Sequence, residues 1–330
     1  MNRLHSFFLV TAILTPLAVF AQTPPKLVIY EPFGPQSVAD DAVRMVQPDL
    51  EAQLKGPVEI RHAAFHPGAG GTVIDFVRDL PSDGHSLAAV ELETELTYEL
   101  LHPADKETLE KLTPIALLTD SIALALGAPN TSPIHDWESL KAATKNRSLT
   151  VGHVGRSAGM VVELSWLETA LGTHFSDRIE PGREGILNAM AQGQADLGLL
   201  AAPTLFSNPL APLPPVRAIL TFGPHRETRL PTVPTFAEIS GNRNASVVGS
   251  VAVFGPPGLS EAQRRDLTAL FLAVNKDPKV RRTEAAMDFS PSVSGPDTVR
   301  ADIQRDLRET SADLKALRVK PDSEQALPRH

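Results

Sequence analysis

The chain of 330 residues contains no cysteine. It therefore has no disulfide, no thiolate nucleophile and no cysteine through which a lipoprotein could be anchored. Basic charge is also scarce, with 31 Lys and Arg against 39 Asp and Glu. Such a chain lacks the electrostatic footprint that nucleic-acid binding needs. Internal repeats, low-complexity tracts and long charge runs are missing as well. No apolar run reaches the roughly 20 residues that span a bilayer, so stable membrane insertion is not expected. Gly68 to Gly71 forms a glycine-rich loop, but Val73 stands where a dinucleotide fingerprint needs glycine and no Walker lysine follows. Metal binding has little support, because Pro67 and the glycines break any helix that would align His62 with His66. No cofactor is expected.

At the N-terminus, Arg3 precedes an apolar run from Phe7 to Phe20, and Val19 to Ala21 supplies a small-x-small cleavage pattern. This reads as a secretory signal over residues 1–21. Its removal leaves 30 basic against 39 acidic residues, a net charge of −9. The expected location is the periplasm.

Downstream, strand and helix patterns alternate. Lys26 to Tyr30 reads as a strand, and Val38, Ala42, Val46, Leu50 and Leu54 then recur at helical spacing. Strands are expected again at Val58 to Arg61 and Ser86 to Val90, with a short helix at Thr72 to Leu80 between them. This order predicts an α/β fold with a parallel-rich sheet. Ile115 to Gly127 reads as two strand halves meeting near Thr119 to Ser121, where the chain crosses into a second α/β unit. That unit continues through Ser139 to Lys145, Leu149 to Val154, Met160 to Leu171, Gly185 to Gln192 and Asp196 to Leu200. Val247 to Phe254 returns, and Ser260 with Gln263 forms a capping box ahead of a helix. Val299, Ile303, Leu307, Leu314 and Leu317 mark a long C-terminal helix. The expected organisation is two lobes with two crossover connections: residues 22–122 and 247–330 form lobe 1, and 123–246 form lobe 2. Hinged lobes of this kind suit closure around a ligand.

The stretch from Val216 to Glu238 is the most informative. Val216 to Phe222 is a strand ended by Gly223 and Pro224. Pro231 and Pro234 stiffen the loop, and Thr235 with Glu238 forms a capping box. Its order resembles the R-A-L-A-V-T…R…L-P-D-V-P-T-x-x-E segment of the tripartite tricarboxylate (Bug/TctC-like) receptors, extracytoplasmic solute-binding proteins of bacteria. His66 to Gly71 is similar to that family's N-x-P-G-A-G-G loop, Pro81 to Leu87 to P-D-G-Y-T-L, and Ala191 to Leu197 to G-G-Q-V-D-L. Asn275 to Arg281 and Val319 to Asp322 continue the similarity, which is collinear from about Lys26 to Asp322. The resemblance implies a Venus flytrap of the type II-like periplasmic-binding-protein fold. It also implies a small organic acid or related metabolite as ligand, and a membrane permease or a signalling role downstream.

Three loops ahead of helices could present backbone N–H groups to a ligand at positive helix ends. They supply Gly34, Gln36, Ser37 and Asp40 from the first, Gly70, Gly71 and Thr72 from the second, and Arg156, Ser157 and Ala158 from the third. In the first loop Gln36 and Ser37 stand where the family has paired glycines. After the third strand, where the family has small polar residues, this chain has Glu91, Glu93 and Glu95. Glu91 and Glu93 in a closed cleft would repel a dicarboxylate, so a ligand with one carboxylate, or with an amine or amide, fits better. Against this stands the simpler expectation that Glu91, Glu93 and Glu95 are solvated on a surface helix, with only one facing inward.

Two rival readings remain open. Gly155 to Gly159 is formally G-x-S-x-G on a strand-to-helix turn, with Asp196 and His225 following in the chain order of an α/β-hydrolase. That reading makes Ser157 a nucleophile, whereas the receptor reading catalyses nothing. The other rival is a paralogue that has lost its ligand and serves as a signalling or scaffold partner. A monomer is expected.

Overall fold

The computed structural model describes residues 26–32, 37–63, 73–103, 108–154, 160–180, 182–205, 216–243, 245–286 and 290–319. The first lobe opens with β1 (Leu27–Glu31), α1 (Val38–Leu54), β2 (Val58–His62), α2 (Val73–Arg78), β3 (Ser86–Glu91) and α3 (Leu92–Leu101). β4 (Thr113–Pro129) follows, then α4 (Trp137–Thr144), β5 (Thr150–His153), α5 (Val161–Leu171), β6 (Ser176–Ile179), α6 (Gly182–Ala191), β7 (Leu197–Ala201), β8 (Val216–Thr221) and α7 (Phe236–Ser240). β9 (Val248–Gly255), α8 (Glu261–Asn275), α9 (Pro278–Ala286), β10 (Ser290–Ser294) and α10 (Pro296–Ala316) complete the chain.

The sheet runs β2-β1-β3-β9-β4-β7-β5-β6, with β8 and β10 pairing to β4 off that path. The expected meeting of two strand halves near Thr119 is instead one continuous strand of 17 residues. Irregularity is confined to its pairing: the register against β9 shifts between Leu117 and Thr119 and again before Ile122. The N-terminal half of β4 pairs with β10, whereas Leu124 to Gly127 pair with β7 and Ala125 to Pro129 with β8. One strand thus serves both halves of the sheet, and β9 runs antiparallel along its first half and middle.

The sheet is mixed rather than parallel-rich. Among the described residues, four strand pairings are parallel and five antiparallel. The parallel pairings are the βαβ units at the two ends, where a helical crossover returns each strand in the same sense. At the centre the chain passes between halves and comes back, which forces β9 to oppose β3 and β4.

Three large clusters of buried apolar side chains surround this sheet. One packs Val43, Val46 and Leu50 of α1 and Phe271 of α8 on β1 and β9, while the opposite face carries Ile74, Leu92, Leu96, Val299 and Ile303. The third is the core of the second lobe, built on Val151, Leu164, Leu199, Phe222 and Phe236. Phe236 lies 5.9 Å from Trp166 and 5.6 Å from Phe222 in stacked pairs, so the Val216 to Glu238 segment is scaffold for this lobe. Both predicted capping boxes form, Thr235 with Glu238 and Ser260 with Gln263.

α10 is a strap across both lobes. Its N-terminal half buries Val299 and Ile303 in the first lobe, while Leu314, Leu317 and Val319 join the core of the second. The end of the chain assigned to lobe 1 therefore also packs on lobe 2.

Candidate functional site

Where β4 and β9 pass between the halves, a narrow crevice of about 40 Å³ opens beside the start of α1. Among the described residues its walls include Val38, Glu91, Glu93, Ile122, Gly249 and Ser250. That volume holds little more than a water molecule, so a metabolite requires the lobes to part. Gly249 sets the floor: a Cβ added there would meet Ile122 O at 3.6 Å and Glu93 Oε2 at 4.0 Å. A glycine inside a strand is a signal of close approach. A roomier hollow of about 620 Å³ lies elsewhere on the second lobe, against α4 and the end of α6. Its charged pair, Arg147 and Asp196, is closed on itself.

The start of α1 is occupied by the protein's own carboxylates. Ser37 caps the helix, its Oγ accepting from the Asp40 N–H at 3.0 Å, and donates that hydroxyl to Glu31 Oε1 at 2.8 Å. Glu91, at the end of β3, accepts from the Ala39 N–H at 3.3 Å. Both glutamates sit where the helix dipole favours negative charge. Asp40 is buried, with Oδ1 2.9 Å from His62 Nε2 and Oδ2 accepting from Arg44 Nε at 2.9 Å. Of the expected ligand residues, Ser37, Asp40 and Glu91 are thus engaged within the protein, and only Glu93 faces the crevice without a described hydrogen-bond partner. Gly34, Gln36, Gly70, Gly71, Thr72, Arg156, Ser157 and Ala158 lie outside the described residues.

The glutamates after β3 are not on a solvated surface. Glu95 is 5% exposed, and Glu91 and Glu93 are half-buried, because α3 packs between β9 and α10. Burial pushes the Glu91 carboxyl up to about 7, opposed by the Ala39 N–H and by Thr94. Burial raises Glu93 to about 8, reinforced by Glu91 and Asp306, and raises Glu95 to about 8, reinforced by Glu99 and Glu91. Across from them, Glu163 in the first turn of α5 is fully buried, and neither of its carboxyl oxygens has a hydrogen-bond partner. Burial, and then the charge of Glu93, hold it well above the usual carboxylate range.

Asp41 and Arg183 were not anticipated. Arg183 Nη1, from the first turn of α6, donates to Asp41 Oδ2 of α1 at 3.0 Å, although 142 residues separate them. No local pattern could reveal a pair made only by the approach of two lobes. The hydrolase arrangement finds no support in Asp196, whose carboxylate takes both Arg147 nitrogens, at 2.6 and 2.5 Å, and the Thr150 N–H at 2.9 Å. His225 is exposed in the turn after β8.

Comparison with solved structures places the fold. MatC from Rhodopseudomonas palustris, solved with bound malate, superposes with a TM-score of 0.75 at 22% identity, covering 88% of this chain and 98% of that one. The periplasmic binding protein BugD gives 0.77 at 20% identity, covering 89% and 98%. An R. palustris protein solved with adipate gives 0.78 at 16% identity, covering 90% and 98%. No curated protein matches the sequence. Among the described residues no helix is long and apolar enough to cross a membrane. The family described as tripartite tricarboxylate transporter family receptor matches residues 42–317, nearly all of the folded chain. The protein belongs to the tripartite tricarboxylate transporter family of periplasmic solute-binding receptors.

Proposed function

We propose that this receptor captures a small carboxylate-bearing metabolite between its lobes and delivers it to the membrane permease of a tripartite transporter. Residues 22–122 and 247–330 act as one lobe, residues 123–246 as the other, and the two strands passing between them serve as the hinge. Secretion relies on residues 1–21, which carry the signal pattern.

The observation that carries this reading is the crevice itself. It lies at the crossing of β4 and β9, where one strand pairs with both half-sheets, and Asp41 and Arg183 reach across beside it. Movement about these two strands, with α10 as the third link between the lobes, separates its walls. Structures of the same fold hold malate and adipate, which supports a small organic acid as the ligand class. The glycine-rich loops at residues 68–71 and 155–159 are assigned the ligand carboxylate, through backbone N–H groups and the hydroxyls of Thr72 and Ser157. Asp40 is assigned a positioning role, since both its oxygens are engaged by His62 and Arg44. No step of chemistry is required.

The test is small-angle scattering of the mature protein with and without each of a set of small organic acids. A ligand that binds reduces the radius of gyration as the lobes close. An unchanged radius with every acid, at concentrations that saturate related receptors, overturns the reading.

A further inference from the structure

The geometry points to an amine subsite: the Glu91–Glu93 wall of the crevice seats the protonated amine of the ligand, so that this receptor takes an amino-substituted monocarboxylate rather than a dicarboxylate. The inference rests on the receptor reading above and names the ligand's second end.

Three features of the crevice converge on it. First, Glu91 accepts the Ala39 N–H at the start of α1, so a carboxylate already fills the position where that helix end would hold an anion. One of the three expected anion-binding helix starts is therefore spent on the protein itself. Second, Glu93 lines the crevice with no described group donating to it, and Gly249 beneath it leaves the space in front of its carboxyl open. Third, Glu163 from the other lobe is fully buried, with both oxygens unpartnered, and lies close enough for Glu93 to act on its charge.

Unpartnered buried acceptors are costly, and a protein retains few of them without a use. An alkylammonium has three donors and no acceptor, which matches the carboxyl oxygens that Glu91 and Glu93 present to the crevice, with the unpartnered Glu163 carboxyl close to Glu93. A second ligand carboxylate in the same place would face the Glu91 and Glu93 carboxyls with no cation in the described lining to pair with it. The described cations nearby are already committed, Arg44 to Asp40 and Arg183 to Asp41. Burial holds Glu91 at about 7 and Glu93 at about 8, as expected of carboxyls that face no cation in the empty crevice. An ammonium docking there favours their charged forms and completes the charge balance.

The experiment compares matched ligands that share one carboxylate and the same methylene chain, differing only at the far end. β-Alanine is set against succinate and δ-aminovalerate against adipate, by isothermal titration of the mature wild-type protein and of Glu93→Gln. The amino acid of at least one pair is expected to bind at least about tenfold more tightly than its dicarboxylate, and Glu93→Gln is expected to erase that gap. A dicarboxylate that binds as well as or better than its amino partner overturns the amine subsite while leaving the receptor reading intact. A preference for the amine that survives Glu93→Gln overturns the assignment to this wall. If no member of either pair binds, and scattering shows no closure with any acid, the receptor reading fails and the amine subsite falls with it. Should Glu93→Gln not fold, the wild-type pairs decide alone.

Discussion

Arg183 of α6 donates to Asp41 of α1 at 3.0 Å, joining helices of different lobes beside the crevice. The two side chains are 16% and 22% exposed, so the pair is largely desolvated. Burial pushes the Asp41 carboxyl up even though Arg183 pulls it down, which means that desolvation outweighs the attraction. Such a pair adds little net stability and much specificity of geometry. It behaves as a latch on the closed arrangement.

Replacing Arg183 by Ala leaves Asp41 buried without its partner, a cost of about 1–3 kcal/mol that the protein avoids by opening. The expected result is a larger radius of gyration without ligand and weaker ligand binding, with the midpoint of thermal unfolding shifted by only a few degrees. Asp41→Asn should act in the same direction, and the double variant should be no worse than either single one. Unchanged scattering in both variants contradicts the latch.

The carboxyl cluster makes stability depend on pH. Glu93 and Glu95 are raised from the ordinary 4.5 to about 8, Glu91 to about 7, Asp306 and Asp313 to about 6, and Glu163 well above its ordinary range. Groups with raised folded values bind more protons folded than unfolded through the interval between the two. Their stabilisation is complete below about 4.5 and is lost as the pH rises towards about 8. The thermal midpoint of the empty protein should therefore fall over that interval. Glu163→Gln removes the most deeply buried of these groups, so the fall should flatten and the variant should be the more stable near the upper end. A midpoint that rises with pH over this range contradicts the assignment.

Gly249 offers a test of the crevice that spares the carboxyls. A leucine at this position projects into the space in front of Glu93. Gly249→Leu should fold, because the nearest atoms to the new Cβ stand at ordinary contact distances of 3.6 and 4.0 Å. It should lose ligand-induced thermal stabilisation, and retention of the wild-type shift would place the ligand elsewhere.

Asp196 separates the receptor from the hydrolase. Its carboxylate ties Arg147 to the Thr150 N–H at the edge of β5, so Asp196→Ala should cost about 1–2 kcal/mol measured by chemical denaturation. Ligand binding should be unaffected. Ester hydrolysis that depends on both Asp196 and Ser157 would restore the enzyme reading.

Much of the scaffold was legible because its signals are local. The capping boxes at Thr235 and Ser260 are three-residue patterns that specify helix starts on their own, and both form. Where tertiary context decides, the pattern was silent. β6, Ser176–Ile179, is largely exposed along its length and carries no apolar alternation. β10, Ser290–Ser294, is short and serine-rich, and it forms through pairing with β4 and packing against α8 and α9. Helix α4 begins at Trp137, ahead of the expected Ser139, because Asp136 and Ser139 cap it reciprocally.

At the site, the sequence identified Glu91 and Glu93 as departures from the family pattern, but it could not tell that α3 is enclosed by β9 and α10. Nor could it show that Glu91 would turn back to the start of α1, or that Glu163 would stand across from Glu93. Those relationships arise from strand order and lobe packing. Gly249 went unremarked inside the strand expected at Val247 to Phe254, because nothing in sequence said what approaches it.

The most direct test of the central claim is a thermal-shift screen of the mature wild-type protein against small monocarboxylates, dicarboxylates and amino acids, with scattering on every compound that shifts the midpoint. The account predicts that at least one compound raises the midpoint in a concentration-dependent manner, as mass action on the folded state requires, and compacts the protein on binding. No shift with any compound, together with Ser157-dependent ester hydrolysis, would contradict it.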